Sequence, residues 1–109
     1  MSPKSFLGEF ELMVLLAILQ QGESAFGLEV RREIERSAGR RVSRGAFYTT
    51  LDRLERKGYV RWTEDTPEDA RTSASLRRFT VTPEGLAALR ASRNALETLW
   101  RGLDGVESS

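Results

Sequence analysis

The 109-residue chain contains no cysteine and no histidine, and its lysines are confined to Lys4 and Lys57. Without cysteine there are no disulfides, no thiolate metal ligands and no sulfur nucleophile. Without histidine the commonest general base and the commonest metal ligand are missing as well. No carboxylate constellation compensates, so neither an enzyme nor a metal or cofactor site is expected. Long apolar runs are absent too. The longest, Leu12 to Leu19, falls well short of the roughly 20 residues that span a bilayer. No basic segment with a small-residue cleavage site marks a signal peptide, so no membrane partner and a cytoplasmic location are expected. Proline is limited to Pro3, Pro67 and Pro83, and Pro3 disfavours helix in Met1 to Leu7, which reads as a short lead-in.

What remains is a globular composition, 39% apolar and 30% charged, enough for one domain with a modest core. The net charge of +1 conceals an uneven distribution. Residues 1–30 carry −3, residues 31–61 carry +6, residues 62–76 carry −3, and the remainder carries +1. A positive field held on one third of the chain suits a polyanion-binding surface, although a solvated basic face has the same signature.

That third is centred on Ser43 to Val60. Ser43 is a helix N-cap and Gly58 a C-terminal stop. Phe47, Leu51 and Leu54, at spacings of 4 and 3, share one face, and Arg44, Tyr48, Thr49, Asp52, Arg53, Arg56 and Lys57 cover the others. Ahead of it, Glu9 to Gln21 reads as a helix apolar nearly all round, buried on several sides or partly in a subunit interface. Gly22-Glu23-Ser24 breaks it. Gly27 to Ser37 is a second helix with Val30, Ile34 and Ala38 inward, ended by Gly39. Arg40-Arg41-Val42 then forms a basic connector, so the two helices make a helix-turn-helix.

After the third helix, Tyr59 to Thr63 alternates as a half-buried strand, Glu64 to Ser75 reads as loop, and Leu76 to Val81 as a second strand. Phe79 and Val81 are placed to pair with Val60 and Trp62 over the core, and Trp62 reads as core under the hairpin. Thr82-Pro83-Glu84 opens a last helix running to about Leu103, followed by a short tail. Leu89, Arg93, Leu96, Trp100 and Leu103, spaced 4, 3, 4 and 3, form a coiled-coil-like seam that Leu86 and Leu99 widen. So long a helix exceeds the needs of a small core, which points to homodimerisation, with folding back on its own domain as the alternative. The fold class is therefore mainly α with a small β-hairpin wing: a winged helix-turn-helix over 1–81 and a C-terminal dimerisation helix and tail over 82–109.

These stretches together resemble the PadR family of transcriptional regulators, of the short type with one C-terminal helix. Gly8 to Leu12, Ala25-Phe26-Gly27, Gly45 to Gly58 with its Leu-x-x-Leu-Glu-x-x-Gly ending, and Arg77 to Gly85 carry the resemblance. It implies a homodimer whose third helices enter successive major grooves of a pseudo-palindromic operator in double-stranded DNA. It further implies repression, and in some members release by a small aromatic or drug-like effector near the dimer interface. The chain departs from the family at the wing tip. Relatives commonly carry a Gly-Arg-rich tip; here Glu64, Asp65, Glu68 and Asp69 make it acidic, and Arg71, Arg77 and Arg78 are the arginines that remain.

On this reading Arg44 and Thr49 reach base edges, and Ser43 and Tyr48 offer hydroxyls to phosphates. Arg40, Arg41 and Arg53 add positioning contacts. Arg53 could instead pair with Asp52 or Glu55, and Tyr48 could instead pack beside Phe47. Leu86, Leu89, Arg93, Leu96, Leu99, Trp100 and Leu103 form the dimer seam, and Trp100 is either a ligand platform or plain interface packing. A dimeric winged-helix protein–protein adaptor without specific DNA binding is the alternative function.

Overall fold

In the computed structural model, which describes residues 7–65 and 76–107, helix α1 (Glu9–Gln21) starts where Glu11 folds back on the chain. Its Oε1 accepts the Gly8 N–H at 2.9 Å, satisfying a donor left over at the helix start. Val14, Leu15, Ala17 and Ile18 go into the core, but Leu16 and Leu19 remain 51% and 44% exposed. The helix that reads as apolar all round therefore buries one side and leaves the other open.

A 3-10 turn (Gly22–Ser24) leads to α2 (Gly27–Ala38). Val30 and Ile34 are buried. Ala38, expected inward, is exposed instead, because the last turn of α2 lines an open groove beside Met13, Leu16 and Ala17 rather than the core. Helix α3 (Arg44–Arg56) has Ser43 as its N-cap. It buries Phe47, Thr50, Leu51 and Leu54, and it ends where Gly58 adopts φ 80°, a left-handed conformation that residues with a Cβ avoid.

Strand β1 (Val60–Asp65) pairs antiparallel with β2 (Leu76–Val81) in the register Val60 to Val81 and Trp62 to Phe79. β1 runs further than the alternation suggests. Glu64 and Asp65 lie opposite Arg77 and Leu76, and Asp65 accepts a charged hydrogen bond from Arg78 at 3.0 Å, so cross-strand charge carries the polar end of the ladder. The connector between α1 and α2 joins this sheet: the Phe79 N–H donates to the Ala25 carbonyl at 2.9 Å, and Phe26 bridges Arg78. Arg71 and the acidic Glu68 and Asp69 lie outside the described residues.

Helix α4 (Pro83–Trp100) is capped by Thr82, whose Oγ1 accepts the Gly85 N–H at 3.0 Å and donates to the Gly58 carbonyl at 2.6 Å. One hydroxyl thus joins the end of α3 to the start of α4. The near half of α4 buries Gly85, Leu89 and Ser92, and Ser92 accepts the N–H of buried Leu7 at 3.2 Å. Leu7, read from the sequence as part of a lead-in, belongs to the core. The helix stops at Trp100 rather than Leu103 because Arg101 leaves the helical conformation with ψ 133°. A further turn, α5 (Asp104–Glu107), stands where a tail was expected. The architecture is mainly α with a hairpin wing, a winged helix-turn-helix extended by α4.

Candidate nucleic-acid interface

The polar side of α3 is built by what holds its two ends. At the N-terminus the Ser43 Oγ accepts the Ala46 N–H at 3.1 Å, which leaves its proton free to donate outward. The connector before it is fixed by Glu35, whose carboxylate accepts the Val42 N–H at 2.8 Å while the Val42 side chain is buried. Arg40 and Arg41 are thereby left exposed, with the Arg40 guanidinium 5.7 Å from the centre of the Phe10 ring. At the C-terminus Lys57 donates to Glu11 at 2.8 Å, and Arg53 lies 3.9 Å from the same carboxylate oxygen. Glu11 is buried. Burial pushes its carboxyl up, but hydrogen bonds from Lys57 and Gly8, with the charges of Lys57 and Arg53, outweigh this and hold it below its ordinary value.

Between these ends Arg44 and Thr49 are exposed and Tyr48 is half-buried. The Tyr48 ring meets Phe47 edge to face at 5.1 Å and carries the Arg44 guanidinium 5.7 Å from its centre. Arg44 and Tyr48 line an open cleft of about 610 Å³ with Gly27, Leu28 and Arg31 of α2 and Leu76 and Arg77 of β2. The cleft therefore collects residues from α2, α3 and β2, with Arg31, Arg44 and Arg77 in its lining beside the one acid, Glu29.

The residues singled out from the sequence separate into groups. Arg40, Arg41, Ser43, Arg44 and Thr49 are each exposed and Tyr48 is half-buried; Arg40, Arg41 and Ser43 line a shallow groove with Phe10 and Ala46, whereas Arg44 and Tyr48 line the cleft against α2 and β2. Arg53 stands apart, engaged by Glu11 rather than by Asp52 or Glu55. Arg78 does not project freely, because it is half-buried and paired with Asp65. Arg77 stacks over Trp62 at 4.4 Å and stays exposed at the cleft. Trp62 sits at the edge of the core rather than inside it, with its indole N–H donated to Glu55 at 3.2 Å. Arg31 was missed. Its placement four residues after Gly27 was legible in the sequence, but the cleft that gives it meaning was not.

The seam expected along α4 is divided. Leu89 is buried in the core of its own chain and the partly buried Leu86 packs against that core, so Leu89 has little surface left to offer a partner. Beyond them Leu96, Leu99, Trp100 and Leu103 are 50%, 73%, 49% and 41% exposed. Arg93 reaches Glu97 at 3.6 Å on the same helix.

Among the described residues no group of acidic side chains is arranged to hold a metal ion, and no helix is long and apolar enough to cross a membrane. Comparison with known proteins gives a consistent set of relatives. Residues 15–91 match the model of the transcriptional regulator PadR-like family. The transcriptional regulator Rv3488 of Mycobacterium tuberculosis is 40% identical over 82 residues, which cover 75% of this chain and 72% of that protein. A PadR-family transcriptional regulator from Eggerthella lenta superposes with a TM-score of 0.66 at 22% identity, over 93% of this chain and 88% of that one. RosR of H. salinarum gives 0.67 at 24% identity, over 94% and 88%.

Proposed function

We propose, since the chain belongs to the PadR-like family of transcriptional regulators, that this DNA-binding regulator is a homodimeric repressor of a pseudo-palindromic operator. In this reading α3 enters the major groove, Arg44 and Thr49 contact base edges, and Ser43, Tyr48, Arg40 and Arg41 contact phosphates. The observation that carries it is the exposed surface formed by the capped start of α3 and its basic connector, in the most positive third of the chain. Arg53, drawn toward Glu11, contributes less. Arg77 is the described wing residue best placed to help, since Arg78 is committed to Asp65.

Dimerisation is assigned to the far half of α4, where Leu96, Leu99, Trp100 and Leu103 expose apolar surface. Leaving that much apolar area in water is unfavourable, and a second copy removes it. Trp100 on this surface is a platform for a planar effector.

Selection of bound DNA from a random pool tests the whole reading. The expected result is a palindromic consensus with half-sites about one helical turn apart. A pool with no enrichment would favour the protein–protein adaptor instead.

A further inference from the structure

Gly27 opens α2 in ordinary helical conformation, since it is not among the positive-φ glycines. Its backbone therefore gives no reason for glycine, the poorest helix former after proline. The reason lies on the neighbouring helix. A Cβ at Gly27 would overlap the Tyr48 hydroxyl oxygen and lie 3.3 Å from Cζ. The Tyr48 ring is thus held on one side by the edge contact with Phe47 and at its tip by the bare backbone of α2.

On that ring rests Arg44, one turn earlier on α3. Residues four apart on a helix are neighbours, and a guanidinium within about 6 Å of an aromatic centre is attracted to its face. An arginine on an open surface otherwise samples many rotamers and loses that freedom on binding. Resting it on a ring seated between Phe47 and the backbone of α2 narrows where its donors point. We propose that Tyr48, seated against side-chain-free Gly27, is a positioning residue that aims the Arg44 guanidinium from the cleft between α2, α3 and β2, and so sets the base preference of α3. This rests on the assignment of α3 as the DNA-reading helix, and it gives the Tyr48 ring a role separate from any phosphate contact by its hydroxyl.

The two roles separate by experiment on the full-length protein, with the selected operator and a copy changed at the base pair on which Arg44→Ala loses discrimination. Gly27→Ala and Tyr48→Ala should each lower the preference for the operator over the altered copy by about fivefold, the scale of one weakened base contact. The salt dependence, which counts phosphate contacts, should be unchanged by Gly27→Ala. Tyr48→Phe keeps the ring and should keep the preference. The double variant Gly27→Ala with Tyr48→Phe removes the oxygen that the new methyl would meet, and should recover most of what Gly27→Ala loses. Tyr48→Ala creates no overlap, so it tests the positioning role even where the added methyl disturbs folding. The inference is overturned if Gly27→Ala and Tyr48→Ala keep the preference of the parent, if the double variant is no better than Gly27→Ala, or if Tyr48→Phe loses as much as Tyr48→Ala. Should Arg44→Ala discriminate at every position like the parent, the reading of α3 fails and this inference with it. Loss in Arg44→Ala with none in Gly27→Ala and Tyr48→Ala removes this inference alone.

Discussion

Glu11 does three jobs with one carboxylate: it caps the start of α1 through Gly8, pairs with Lys57 at the end of α3 and draws Arg53 toward itself. It is more acidic in the folded chain than its ordinary value of 4.5. Its contribution to stability is therefore present above pH 4.5 and is lost as pH falls from there through the folded-state value. Glu11→Gln should destabilise the protein at pH 7 by about 1–3 kcal/mol, since it leaves a partly buried lysine unpaired. In urea titrations the gap to the parent should narrow below pH 4.5, whereas a gap constant down to pH 3 would count against an ionised Glu11 as its source. From the sequence, Glu9 and Glu11 look alike, both being acids in a first helical turn. Only the crossing of α1 with α3, which brings together residues 46 positions apart, distinguishes them.

Among the elements, the connector before α3 is proposed to meet phosphates without specifying sequence. Arg40 and Arg41 are exposed on a segment pinned by Val42 and Glu35, so they can be removed without opening the core. Arg40→Ala with Arg41→Ala should weaken binding to all duplexes and flatten the dependence of log K on log salt by about 2 per protomer, with operator preference retained. A slope equal to that of the parent in a salt titration would remove both from the interface. The elements themselves were largely legible. The bounds of α1 and β2 and the caps Ser43 and Thr82 followed from periodicity and end residues. The errors fell where a distant partner intervened. β1 was extended by charge pairing with β2, Ala38 faced a groove rather than the core, and Arg78 was taken up by Asp65.

For the molecule as a whole, the question is what α4 does beyond Ser92. Its near half belongs to its own domain and its far half carries unburied Leu96, Leu99 and Trp100. Leu96→Glu with Trp100→Glu should give monomers by light scattering and weaken operator binding by orders of magnitude, because each half-site alone holds only one reading helix. A parent that is monomeric at micromolar concentration would overturn the dimer. Substitution of Leu89 would not make the same test, since that side chain lies in the core of its own chain.

The sequence by itself determined the order of helices and strands, the wing and the family. Those properties follow from local spacing of apolar residues, capping residues and short motifs, each of which is written within one segment of the chain. The tertiary structure decided which arginines are available, why Gly27 is glycine, and where α4 passes from self-packing to open surface. Each of those depends on which side chains from distant parts of the chain come within a few ångströms, and no periodicity within one segment encodes that.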